Sequence, residues 1–96
     1  MIFERDPVKS AANVRKHHVR FEEAASVFLD ALALTYPDPD HSAEEDREIT
    51  IGSSARGRVL FVAHGVREGR IRIISARRAT RREQQQYEKG SGEATE

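Results

Sequence analysis

Residues 70 to 87, RIRIISARRATRREQQQY, constrain the fold most, because a strand pattern and a helix signal meet there without an intervening loop. Arg70 and Arg72 alternate with Ile71 and Ile73, which sends the isoleucines to one face of a strand and the arginines to the other. Thr80 and Glu83 then stand at capping-box spacing, where each side chain satisfies a backbone N–H of the other. A strand therefore feeds a polar helix directly. Ile74 breaks the alternation and marks either a bulge or a point where both faces become covered; periodicity does not choose between them.

Charge is concentrated around this stretch. Residues 56 to 82 hold nine arginines against one acid, Glu68, in a chain that balances at 16 basic and 16 acidic residues. The arginine fork matches a phosphate, so the run suggests a nucleic-acid backbone, although on charge alone a solvated basic face is the better account. Residues 37 to 48 hold six acids against one arginine. Separate acidic and basic patches suit binding to a polyanion and to a basic partner, or self-association. Without cysteine there is neither a disulfide framework nor a thiolate metal site. The longest apolar run, residues 59 to 63, is too short to span a bilayer, and no leader pattern opens the chain. The expectation is a soluble, unprocessed protein suited to a reducing cytoplasm.

Ninety-six residues make one domain that buries only roughly 60 to 65% of its unfolded surface. Ile2 and Phe3 suit a short edge strand. Asp6 and Pro7 follow at the N-cap and first position of a helix with Val8, Ala11, Ala12 and Arg15 at helical spacing, ending at His17 and His18. Phe21, Ala24, Ala25 and Phe28 share one face of a second helix that ends near Asp30, and the short link folds the two into a hairpin. Residues 31 to 36 read as a strand stopped by Pro37, and residues 38 to 46 as an acidic loop. Residues 48 to 53, 58 to 64 and 70 to 75 read as a meander with turns at Ala55, Arg56 and Gly57 and between Gly65 and Gly69. Gly90 is expected to stop the last helix. The expected class is α+β: a small antiparallel meander packed against an N-terminal helical hairpin, with a C-terminal helix. Residues 1–90 are read as the domain and 91–96 as a disordered polar tail.

FERDPVKSAANVRKH, FEEAASVFLD, the DPDHS loop, the TIG strand and RIRIISARRATRRE with its following Tyr87 resemble the BrnT toxins of BrnT/BrnA type II toxin–antitoxin systems, over residues 2–89. The most specific parts are Lys9 with Asn13, Lys16 with His17, and residues 74 to 79, ISARRA. The resemblance implies a RelE-like ribonuclease fold and a cytoplasmic enzyme that cleaves RNA and so arrests translation. It further implies a BrnA-like ribbon-helix-helix antitoxin that silences the enzyme and represses their shared promoter with it, reaching operator DNA through the antitoxin. A homodimer and a heterotetramer with the antitoxin are both compatible, and no membrane partner is expected. Two positions depart from the family pattern. His18 replaces a glycine suited to ending the first helix, and Arg20 replaces a serine that would cap the second, each at a cost of about 1 kcal/mol.

Cleaving RNA without a metal needs a proton acceptor, a proton donor and cations around the phosphorus as the 2′-hydroxyl attacks. His17 is the candidate acid or base, Arg72 and Arg77 the candidate phosphate and transition-state cations, and Tyr87 a stacking or proton-donating group. Lys16, Arg70, Arg78 and Arg81 are candidate RNA-binding residues. Each has a plainer explanation: the helix dipole favours a C-terminal histidine, a lone tyrosine packs on a sheet, and surface arginines confer solubility. Glu22 and Glu23 are further candidate bases that the same dipole explains. His41 and His64 lack the spacing of a metal site, so no metal or cofactor is expected. The competing reading is a non-catalytic nucleic-acid or antitoxin-binding module, a degenerate toxin.

Overall fold

A computed structural model describes residues 2–41 and 46–93. The strands are β1 (Ile2–Glu4), β2 (Leu34–Pro37), β3 (Arg47–Ser53), β4 (Val59–Arg67) and β5 (Arg70–Arg78). The helices are α1 (Pro7–His17), α2 (Phe21–Ser26), which continues into a 3-10 turn at Val27–Leu29, and α3 (Arg81–Glu93). The sheet order is β1-β5-β4-β3-β2. Strands β2 to β5 form the expected antiparallel meander, but β1 pairs in parallel with β5, Ile2 opposite Arg70 and Glu4 opposite Arg72. The class is α+β as expected, and the sheet is mixed where an antiparallel one was expected. A parallel neighbour needs a long crossover, which here is the whole intervening chain.

Local chemistry sets the element ends. The Asp6 carboxylate accepts the Val8 N–H at 2.8 Å and the Lys9 N–H at 3.4 Å, and Pro7 follows without a donor to lose. His18 ends α1 in the left-handed region, at φ 59, and Arg20 precedes α2 without a side-chain capping bond. Helix α1 packs chiefly against β5, so the expected hairpin of α1 on α2 is not the packing unit. Asn13, the one buried residue of α1, explains why. Its amide donates to the Ala76 and Val19 carbonyls at 2.8 and 2.9 Å and accepts the Ala76 N–H at 3.1 Å. Register with β1 ends at Arg72, so Asn13 takes the place of a strand at the edge of β5.

Apolar side chains cover both faces of the sheet. On one, Val19, Phe21, Ala24 and Val27 pack against Leu60, Val62, Ile73 and Ala76. On the other, Ile49, Ile51 and Ala63 lie with Tyr36, Phe61, Ile74 and Tyr87, which comes from α3. Ile74 is a bulge: Ala63 pairs with Ser75 and His64 with Ile73, so consecutive isoleucines enter opposite layers. Four boundaries differ from expectation. Strand β2 begins at Leu34 and includes Pro37, which an edge strand tolerates. Gly65 lies inside β4, and the turn is the pair Glu68 and Gly69, at φ 51 and 76, as a two-residue hairpin requires. Strand β5 runs to Arg78. Helix α3 continues through Gly90, where a Cβ would come within 3.0 Å of Leu34 Cδ2, so packing accounts for that glycine. Part of the expected acidic loop, residues 42–45, and residues 94–96 of the expected tail lie outside the described residues.

Candidate functional site

Arg47, Gly65 and Arg72 form one row across three strands, Arg47 opposite Gly65 and Gly65 opposite Arg72. By strand alternation all three share the face that carries Ile49, Ala63 and Ile74. Helix α3 covers the far end of that face, near the row of Ile51, Phe61 and Arg77, about 13 Å along β4 from Gly65. The uncovered end is a cleft of about 400 Å³, which Asp6 and Lys9 of the α1 N-terminus also line. Three cations therefore meet one carboxylate there. Arg72 and Lys9 are exposed, and no carboxylate pairs with Arg72 among the described residues.

His17 lies at the opposite end of α1, eight residues from Lys9 and so about 12 Å along the axis. It stands one turn beyond Asn13 on the same helix face, toward the end of β5, and is half-buried. Lys16 and Arg78 are exposed. Arg70 is exposed and pairs with Glu4 at 3.6 Å, and Arg81 opens α3, also exposed.

Arg77 and Tyr87 are tied to the body. The Arg77 guanidinium lies 4.0 Å over the Phe61 ring and donates to both Glu83 oxygens, at 2.8 and 2.9 Å. Glu83 also accepts the Thr80 N–H at 2.9 Å while its own N–H reaches Thr80 Oγ1 at 3.2 Å, so the capping box forms. The Arg77 hydrogen bonds hold the Glu83 carboxyl below its ordinary range, against the effect of burial. Tyr87 donates its O–H to Asp30 at 2.5 Å, and burial together with that bond pushes its hydroxyl up to about 12. Burial alone would raise Asp30, but bonds from Tyr87, Ser53 and Leu32 outweigh it and hold the carboxyl low.

Glu23 is buried and bound by Arg58 and by the Ser54 hydroxyl at 2.7 Å, which assigns it to the join between α2 and the β3–β4 turn. The Arg58 hydrogen bonds hold its carboxyl below the usual range. Glu22 pairs with Arg5 at the surface. Among the described residues, no group of three or more His, Asp or Glu side chains comes together as a metal site.

The residues expected to act together thus do not converge on one place. Arg72 is in the cleft, His17 and Lys16 lie at the far end of α1, and Arg77 and Tyr87 lie between α3 and the sheet, while Arg70 opens β5, Arg78 ends it and Arg81 opens α3. Sequence reading missed Arg47 and Gly65 as cleft residues, and only register across β3, β4 and β5 brings them to Arg72. Lys9 stood out by resemblance alone.

Comparison with known proteins agrees with this architecture. The fold is similar to the crystal structure of the Brucella abortus ribonuclease toxin BrnT, with TM-score 0.64 and 21% sequence identity over 84% of this chain and 100% of that one. A search of curated proteins found no match. Residues 6–83 match the family described as the ribonuclease toxin BrnT of type II toxin–antitoxin systems. Spanning most of its length, that match shows that the chain belongs to the BrnT family of ribonuclease toxins.

Proposed function

We propose that the protein is a RelE-like endoribonuclease that cleaves RNA without a metal, by attack of a 2′-hydroxyl on its own phosphate, and so inhibits translation in the cytoplasm. A ribbon-helix-helix antitoxin of BrnA type neutralises it, and the pair represses its operon. Membership of a ribonuclease toxin family supports the reaction class. The observation that carries the site is Arg72, exposed in the basic cleft with no carboxylate paired to it among the described residues. In this reading Arg72 stabilises charge on the phosphate. His17, Lys16, Arg78, Arg81 and Arg70 extend the surface along the RNA. Arg77 and Tyr87, committed to Glu83 and Asp30, contribute by seating α3.

The test is cleavage of a defined naked RNA by antitoxin-free protein in EDTA. Fragments ending in 2′,3′-cyclic phosphate, reduced about a hundredfold in rate by Arg72→Ala, are expected, as for loss of one preorganised charge donor. One observation favours a non-catalytic binding module instead: His17 and Arg72 do not converge. Intact RNA despite binding, or equal losses of binding and cleavage in Arg72→Ala and His17→Ala, would favour that reading.

A further inference from the structure

Gly65 is required neither by its backbone nor by its neighbours. Its φ lies outside the left-handed region, and a Cβ added there meets nothing within 4 Å. Inside a strand such a glycine is destabilising relative to alanine. The residues opposite it on both sides are arginines, Arg47 and Arg72. We propose that this Arg-Gly-Arg row, closed on one side by Lys9, is a cradle for a backbone phosphate of a bound RNA strand, with Gly65 left bare to admit it. RNA as the polymer rests on the ribonuclease reading above; the cradle rests on the sheet's register.

Strands lie about 4.8 Å apart, so the Arg47 and Arg72 backbones are about 10 Å apart, with open space over Gly65 between them. That span lets two guanidinium forks approach one phosphate from opposite sides, and Lys9 adds a point charge from α1. Asp6 also lines the cleft, but its carboxylate accepts the Val8 and Lys9 N–H groups at the start of α1. Lys9 and Arg47 thereby become ligand-binding residues alongside Arg72.

The experiment titrates a fully 2′-O-methylated single-stranded oligoribonucleotide, which resists transphosphorylation, against the intact protein by fluorescence anisotropy. Gly65→Val is expected to lower affinity at least tenfold while leaving the thermal midpoint unchanged or raised. Lys9→Gln is expected to weaken binding severalfold and to flatten the salt dependence by about 0.7 in log–log slope. The control Lys89→Gln, at an exposed position of α3, keeps wild-type affinity. Wild-type affinity in Gly65→Val, or a Lys9→Gln effect no larger than that of Lys89→Gln, overturns the cradle. Should Gly65→Val fail to fold, Lys9→Gln decides, since that side chain is exposed. Cradle-dependent binding of poly-glutamate but not of the oligonucleotide would assign the cleft to an acidic protein segment and overturn the RNA assignment. Cradle-dependent oligonucleotide binding without cleavage of unmodified RNA would overturn the catalytic reading and leave the cradle standing.

Discussion

His64 ends a polar chain that crosses the sheet. Its Nε2 lies 2.8 Å from Thr50 Oγ1, which in turn lies 2.8 Å from Thr35 Oγ1, and the Phe28 ring meets it edge-on at 4.9 Å. The side chain is buried and its Nδ1 has no hydrogen-bond partner, so a proton added there would be a desolvated charge with nothing to receive it. Burial lowers the imidazole from 6.5 to about 4. Between those values the unfolded chain takes up a proton that the folded protein refuses, so stability falls as the pH drops from 6.5 toward about 4. The loss approaches about 3 kcal/mol at the acid end of that window. The carboxylates held low, Glu23, Asp30 and Glu83, add their own loss as pH falls through their ordinary values of 3.8 to 4.5, so the upper part of the window reports His64. Thermal midpoints measured from pH 6.5 to about 5 should fall for the wild type and hold nearly level for His64→Gln. A wild-type midpoint flat down to about pH 5 would mean that this imidazole reaches water.

At the scale of elements, α3 is held differently from the rest. Its sequence from Arg81, RREQQQYEKGSGE, has no apolar stripe, and Tyr87 is the side chain it contributes to the second apolar cluster. Its seat is polar: Arg77 to Glu83 at the start, and Tyr87 to Asp30 one turn on. Helices held this way open locally at low cost while a sheet core stays closed. Tyr87→Phe removes a hydrogen bond to a carboxylate, a loss of roughly 1.5–3 kcal/mol. Amide exchange in α3 should then quicken about tenfold or more while β4 amides keep their rates. Equal protection of α3 in the variant and the wild type would show that packing of the ring, not its hydroxyl, seats the helix. The start of α3 was legible because a capping box is local: Thr80 and Glu83 are three residues apart. Asp6 and Pro7 were legible for the same reason. Gly65 misled because a glycine near a turn looks like part of it, and only register with β3 and β5 shows it in mid-strand. The parallel β1 was hidden because its partner lies 68 residues away, Ile2 opposite Arg70, and nothing in three residues specifies so distant an edge. Asn13 carried no strand signal at all, yet it completes the edge of β5 by imitating a peptide group.

The whole molecule has a formal net charge of zero, which by itself predicts no affinity for a polyanion. Folding sets which of those charges a bound strand meets. The described acids of the β2–β3 connection lie beside one cleft residue: the Asp38 N–H donates to the Arg47 carbonyl at 3.0 Å, and the carbonyl of Asp46, which precedes Arg47, accepts the Val66 N–H next to Gly65 at 3.0 Å. Arg72 and Lys9 are gathered where α1 meets β5. An RNA strand at the cleft responds to charges within about a Debye length, roughly 8 Å at physiological salt, more than to the sum over the chain. Binding should then depend on salt as counted contacts do, not as net charge does. Three phosphate contacts on a single strand give a slope of about −2 for log affinity against log salt, or roughly a twentyfold loss for a fourfold rise in salt. Arg72→Ala should lessen that slope by about 0.7, and substituting an exposed cation on α3 such as Lys89 should leave it nearly unchanged. A wild-type slope near zero would mean that acidic and basic regions cancel at the bound strand. In that case the basic strand would serve a protein partner better than RNA, because counterion release would no longer drive association with a polyanion.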